Sequence, residues 1–318
     1  MQNQELFFFN QTFVAENQQI LHPIVKKKKV SLYLKREDLI HPFVSGNKFR
    51  KLKYNIIEAQ RNNKRLLLTF GGAFSNHIVA TAVASNLNGF KSVGIIRGEE
   101  LGVDLEKTLS QNATLQKASE NGMQLEFVSR EKFREKSSKE FINQLKAKYG
   151  DFYLIPEGGT NGLAIKGCTE ILTEGDDEFD YICSAVGTGG TISGLINASK
   201  SHQKVIGFPA LKGDFLNDEI RKFVNKENWV LQTAYHFGGY AKYNSDLIRF
   251  INDFTFDNSV VLDPIYTGKM LFGILDLIEK NHFKKGTKIL AIHTGGIQGI
   301  QGFNEKLQKK NQQIIKSL

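Results

Sequence analysis

Short apolar runs alternate with amphipathic stretches along nearly the whole chain, and this alternation restricts the fold more than any other feature of the sequence. The runs at 66–70, 92–96, 124–128, 152–155, 181–186, 205–208 and 288–292 are too short for helices and mostly apolar, as strands buried on both faces are. Between them, stretches at 47–60, 76–87, 132–148, 161–172, 245–254 and 269–279 return apolar residues every three or four positions, the spacing of a helix with one buried stripe. Strand and helix taking turns predicts a parallel, doubly wound α/β sheet. Ligands bind such sheets beyond the carboxyl ends of the strands. Glycines cluster there, at Gly71 and Gly72, Gly158 and Gly159, Gly187 to Gly190, and Gly295 and Gly296, which marks those loops as the place for chemistry.

No fixed-period repeat or low-complexity linker interrupts the pattern. At 318 residues the chain exceeds the size at which one core usually stops growing, so two unequal lobes are expected. With 42 Lys and Arg against 33 Asp and Glu the net charge is +9, which raises nucleic acid as a partner. The excess is diffuse. Its densest run, Lys26 to Lys29, lies between apparent strands and away from aromatics spaced for base stacking, so it reads as a solvated turn and no nucleic-acid partner is expected. Nineteen uncharged residues at 181–199 have the length of a membrane span, but four glycines and six Ser, Thr or Asn among them argue against one. Cys168 and Cys183 lack metal or redox spacing, which suits a reduced, cytoplasmic protein. The opening MQNQELFFFNQTF has neither a basic flank nor a long apolar core and does not read as a secretory signal.

Several segments carry groups suited to catalysis. Gly187-Thr188-Gly189-Gly190-Thr191 follows the 181–186 run and opens a helix, where converging backbone N–H groups suit a phosphate. The dinucleotide fingerprint fails, because its sixth position is Ile192, and a tight turn remains an equal reading. Lys48, in Ser45-Gly46-Asn47-Lys48-Phe49-Arg50-Lys51-Leu52, begins an amphipathic stretch after a charged strand at 34–39. Cations at Arg50 and Lys51 would lower its pKa and favour a nucleophilic amine, although a solvated lysine is the commoner fate of the residue type. Ser75, Asn76 and His77 sit at a helix start after Gly71 and Gly72, where Ser75 also suits a plain N-cap. The segments Phe237-Gly238-Gly239-Tyr240, Leu262-Asp263-Pro264-Ile265-Tyr266-Thr267-Gly268-Lys269 and His293-Thr294-Gly295-Gly296 complete the set.

In order, KREDL, GNKFRKL, GGAFSNH, IPEGGTN, GTGGT, YTGK and HTGG resemble the 1-aminocyclopropane-1-carboxylate deaminase and D-cysteine desulfhydrase family, within the tryptophan synthase β-subunit group of pyridoxal-phosphate enzymes. The resemblance spans roughly residues 32–302 and implies a two-domain fold of mostly parallel sheets, with 49–157 inserted as a smaller domain into 1–48 and 158–318. It implies pyridoxal 5′-phosphate bound as a Schiff base on Lys48, with Gly187, Thr188, Gly189, Gly190 and Thr191 around the phosphate and Asn76 on the ring 3′-oxygen. Ser75, Asn76 and His77 would receive the substrate carboxylate, with Tyr240 and Tyr266 flanking the substrate as proton donors or acceptors. Thr267 would lie near the pyridine nitrogen and Thr294 close by. A small amino-acid substrate and a homodimer are further expectations. After Ser75-Asn76-His77 many relatives have Arg-Gln, whereas this chain has Ile78 and Val79, and 98–122 departs from the pattern altogether.

Within that family, opening a cyclopropane needs a ring that is a strong electron sink, which a Glu after the second tyrosine supports by holding a protonated ring nitrogen. Thr267 is a neutral hydroxyl, and Thr294 also matches the desulfhydrase pattern, where deaminases carry Leu. Both positions point to β-elimination of a good leaving group, as from D-cysteine.

Overall fold

The computed structural model describes residues 8, 9 and 13–317. Most of the opening segment, whose sequence does not read as a secretory signal, lies outside the described residues. Among the described residues ten strands form two sheets. The larger comprises β1 (Asn17–Gln19), β2 (Ser31–Lys35), β7 (Tyr181–Val186), β8 (Lys204–Pro209), β9 (Trp229–Leu231) and β10 (Lys288–Ile292), in the order β1-β2-β10-β7-β8-β9. Only β1 runs antiparallel, pairing Gln18 with Leu34. The smaller comprises β3 (Leu66–Gly72), β4 (Lys91–Arg97), β5 (Met123–Val128) and β6 (Tyr153–Ile155), in the order β5-β4-β3-β6, all parallel.

Helices cover both faces of each sheet, which is why the central strands are apolar on both sides. In β7 the side chains of Cys183 and Ala185 join one core, while those of Ile182 and Val186 join the core on the opposite face. In β3, Leu67 and Leu68 divide in the same way. The expected α/β architecture is therefore present in two sheets, and the helices Asn47–Arg61, Asn76–Leu87, Gly162–Thr169, Ser245–Asn258 and Thr267–Glu279 stand where the periodicity places them. Among the described residues no helix is long and apolar enough to cross a membrane, and 181–199 is a strand, a glycine turn and a helix.

Three expectations are corrected. The charged segment 34–39 is a strand only to Lys35. Glu37–Leu39 is a 3-10 turn, because Glu37 leaves the sheet to pair with Arg50 at 2.8 Å while Arg36 clamps Asp38 at 2.7 Å. Lys26 to Lys29 is a helix end rather than a turn: Pro23–Lys28 is helical and Lys29 caps it with φ 55°. The lysines face solvent and complement the helix dipole. The single helix at 132–148 is two, Arg130–Arg134 and Lys139–Tyr149, divided at Ser138, whose hydroxyl accepts the Phe141 N–H. Beyond these, the three-residue strands β1, which is wholly polar, and β9, whose apolar run is only Trp229 to Leu231, were not expected.

Candidate active site

The carboxyl ends of β3, β4 and β6 in one sheet and of β7 and β10 in the other border a cleft of about 360 Å³. Lys48, Ser75, Asn76, His77, Gly187, Thr188, Gly189, Gly190, Thr191, Tyr240, Tyr266 and Thr294 all line it. Thr267 stands behind the wall, fully buried.

The entry of the Asn47–Arg61 helix is fixed by a close backbone crossing. Gly46 has φ +55°, and a Cβ there would lie 2.2 Å from the Thr294 carbonyl oxygen, so only glycine lets the chain pass. The Asn47 side-chain amide then donates to Thr191 Oγ1 at 2.9 Å, tying this helix to the glycine loop. The Lys48 amine lies 3.5 Å from the Gly158 carbonyl. Burial first, and the nearby Lys51 charge second, lower its pKa to about 7. A substantial fraction of the amine is then unprotonated and nucleophilic near neutral pH. Arg50, expected to share in this effect, turns away into its ion pair with Glu37.

Lys51, read from the sequence as a cation acting on Lys48, also belongs to the site through contacts that were not read there. It is 2% exposed and donates to the Gly158 carbonyl at 3.0 Å, to Thr160 Oγ1 at 3.0 Å and to Thr188 Oγ1 at 3.4 Å. The available signal was its spacing, three residues after Lys48 on one helix face. The glycine loop lies opposite. Gly189 has φ +85°, and at Gly190, where a helix begins, a Cβ would sit 2.9 Å from Thr160 Oγ1 and 3.1 Å from Lys51 Nζ. The first N–H groups of that helix have no carbonyl partners within it. Neither Lys48 nor Lys51 has a carboxylate partner among the described residues. Buried cations beside a helix start, without a counter-anion, make a site shaped for an anionic group.

Ser75 occupies the N-cap position of Asn76–Leu87, yet its hydroxyl makes no capping bond and remains available to a ligand. Asn76 Oδ1 is buried without a partner. His77 is 1% exposed with Nε2 2.8 Å from Thr69 Oγ1, and burial, then Lys48 and Lys51, hold its pKa well below the usual value, so the ring is neutral. Its backbone N–H, in the first helical turn, is the group better disposed towards a carboxylate. The rings of Tyr240 and Tyr266 are 6.2 Å apart. A Cβ at Gly187 would lie 3.3 Å from the Tyr266 hydroxyl, which places that phenol over the start of the glycine loop. Burial, followed by Tyr240 and Asp263, raises Tyr266 well above the ordinary phenol range and keeps it protonated.

Asp263, on the cleft wall, accepts from the N–H groups of Ile265, Tyr266 and Thr267 at 2.9, 2.8 and 2.9 Å and from the Thr267 hydroxyl at 2.6 Å. Arg97, at the end of β4, also reaches the cleft and was not read from the sequence.

This fold and cleft define a pyridoxal-phosphate-dependent enzyme of the tryptophan synthase β-subunit type. The chain belongs to the pyridoxal-phosphate dependent enzyme family, whose profile matches residues 18–295, and within it to the 1-aminocyclopropane-1-carboxylate deaminase and D-cysteine desulfhydrase group. It is 33% identical over 294 residues to a bifunctional D-cysteine desulfhydrase/1-aminocyclopropane-1-carboxylate deaminase, mitochondrial, of Arabidopsis thaliana, covering 85% of this chain and 73% of that one. It is 29% identical over 301 residues to 1-aminocyclopropane-1-carboxylate deaminase of Rhizobium rhizogenes, covering 86% and 89%. The crystal structure of a deaminase homologue superposes with a TM-score of 0.77 at 27% identity, covering 97% of this chain and 99% of that one. The residues present fit the cofactor: an enclosed amine at Lys48, a glycine-lined anion cradle completed by Lys51, and the Asn76 side-chain amide, whose oxygen is buried without a partner and whose N–H groups can donate to a ring oxygen.

Proposed function

We propose that this enzyme removes a β-substituent from a small amino acid, D-cysteine best of all, releasing pyruvate, sulfide and ammonia. The observation that carries the choice is the state of Asp263. A ring nitrogen that must stay protonated needs a carboxylate with a free acceptor position. All four bonds of Asp263 described above are already made to its own loop and helix, and Thr267 contributes a hydroxyl in place of a second carboxylate. Such a site suits elimination of a good leaving group better than ring opening.

Lys48, Thr188, Gly189, Gly190 and Thr191, with Lys51, are assigned to holding pyridoxal phosphate, and Asn76 to its ring oxygen. Bound pyridoxal phosphate supplies the sink for the electron pair left when the α-proton departs. The Lys48 amine, unprotonated in part near neutral pH, takes that proton. The Ser75 hydroxyl and the N–H groups of Asn76 and His77 orient the substrate carboxylate at a helix start. Tyr266 and Tyr240, kept protonated, face the departing sulfur. The C–S bond breaks with its electron pair leaving on sulfur, and the released enamine hydrolyses to pyruvate and ammonia.

The smaller sheet, drawn wholly from residues between 49 and 157, supports treating that segment as an inserted domain within 1–48 and 158–318. Two buried, unpaired cysteines agree with a cytoplasmic setting, and a homodimer is part of the same proposal. The name of the Rhizobium rhizogenes relative favours the second reading, ring opening to 2-oxobutyrate and ammonia, whereas the Arabidopsis thaliana relative is named for both activities. Parallel assays decide: D-cysteine should yield pyruvate and sulfide faster than 1-aminocyclopropane-1-carboxylate yields 2-oxobutyrate. The reverse order would make ring opening the activity.

A further inference from the structure

Tyr240 stands on an unusual segment. Phe237, Gly238, Gly239 and Ala241 have φ of 53°, 92°, 118° and 54°, so both residues flanking Tyr240 and the two before them adopt backbone that L side chains rarely take. The segment's own backbone bonds are local. Gly239 N–H donates to the His236 carbonyl at 3.0 Å and Lys242 N–H to the Gly239 carbonyl at 3.2 Å. Neither bond fixes the segment to the body of the protein.

Lys269 does so. It is 2% exposed in the first turn of Thr267–Glu279, three residues after Tyr266, and its ammonium donates to the His236 carbonyl at 2.9 Å and to the Gly239 carbonyl at 2.9 Å. The second bond ends on the residue next to Tyr240. One turn further along the same helix, Phe272 packs edge-on against Phe237 at 5.1 Å. Two adjacent turns of one helix thus grip a segment whose backbone conformation is intrinsically unfavourable. Most lysines on this chain reach solvent or a carboxylate, whereas this one lies buried with two carbonyls as its hydrogen-bond acceptors.

We propose that Lys269 is a positioning residue that latches the 236–241 segment to the helix beginning at Thr267, and so sets Tyr240 at its working distance from Tyr266. The consequence for turnover rests on the assignment of Tyr240 to the substrate. The latch itself does not.

Hydrogen exchange on the cofactor-loaded protein reads the latch alone. In Lys269→Met, exchange of the Gly239 and Lys242 amides should rise about ten-fold or more, while amides within 271–278 and the cofactor absorbance stay as in wild type. Lys269→Gln, which keeps amide donors on a shorter stem, should fall between the two and serves if the methionine variant folds poorly. Unchanged exchange in both variants overturns the latch. In the assay, Lys269→Met should lower kcat more than it raises KM, by a factor matching Tyr240→Phe. The double variant should be no slower than Tyr240→Phe alone, because both changes remove one contribution. Additive losses would overturn the link to Tyr240. If Tyr240→Phe alone leaves kcat unchanged while exchange still rises in Lys269→Met, the latch stands and the assignment of Tyr240 is what fails.

Discussion

Thr267 gives its hydroxyl proton to the Asp263 carboxylate at 2.6 Å and takes the Asp263 backbone N–H in return at 3.0 Å. The pair starts the helix Thr267–Glu279 and consumes the carboxylate that faces the cleft from this wall. Thr267→Val keeps the shape and removes both bonds. A hydrogen bond to a charged acceptor contributes about 1.5–3 kcal/mol, so urea denaturation should show a loss in that range. Thr267→Glu should cost the cofactor-free protein more, about 3 kcal/mol or above, by burying a second carboxylate beside Asp263. Combined with Thr294→Leu, the same change should reduce desulfhydration, and ring opening should become measurable.

The Lys48 amine offers a test by pH. Its folded pKa is about 7, lowered from 10.5 by burial and then by Lys51. Between those values the unfolded chain binds a proton that the folded chain does not, so this group makes stability rise with pH across that window. Below about 7 the cost of burying the charge is fully present. Denaturation of cofactor-free wild type and Lys48→Met should therefore differ progressively in favour of the wild type as pH rises from neutrality towards 10. A difference independent of pH would place the amine in solvent.

Two glycines test the backbone crossings that build the cleft. At Gly46 a Cβ would meet the Thr294 carbonyl oxygen at 2.2 Å under a φ of +55°, and at Gly167 it would lie 1.8 Å from the Arg50 carbonyl oxygen. Alanine at either position forces backbone against backbone and should cost more than the usual 1–3 kcal/mol of overpacking. Gly162→Ala, where the space is open, should be nearly neutral and serves as the control. Thermal melts of the three variants compare them directly.

Much of this site was legible because glycine turns after apolar runs carry backbone information into the sequence. The Tyr181–Val186 strand followed by Gly187 to Thr191 emerged with its boundaries intact. What escaped depended on side chains that choose between partners far apart in the chain. Arg50 follows Lys48 by two residues, yet Glu37 draws it away from the amine. Lys51 faces Thr160 and Thr188, more than a hundred residues distant, and nothing local reports that encounter. The three-residue strands β1 and β9 are too short to stand out in the sequence and are held by pairing with β2 and β8. Thr267 was expected near the pyridine nitrogen, and its bond to Asp263, four residues before it, shows only in the folded chain.

The tyrosines should separate binding from chemistry. Tyr240→Phe and Tyr266→Phe each remove one of the two hydroxyls proposed to flank the substrate and leave Lys48 and the residues of the glycine loop in place. Cofactor absorbance should persist in both while kcat falls roughly 10² to 10⁴-fold, the range for a lost proton donor or acceptor. Loss of absorbance instead would make the hydroxyls structural, and unchanged kcat in both would remove them from the reaction.

The most direct measurement is borohydride reduction of the purified protein with pyridoxal phosphate, followed by peptide mapping. The expected result is a yellow protein whose cofactor becomes fixed to Lys48 alone, in the peptide that begins the Asn47–Arg61 helix. Label on Lys51 or Lys269, or a protein that takes up no cofactor, would contradict the assignment of this cleft.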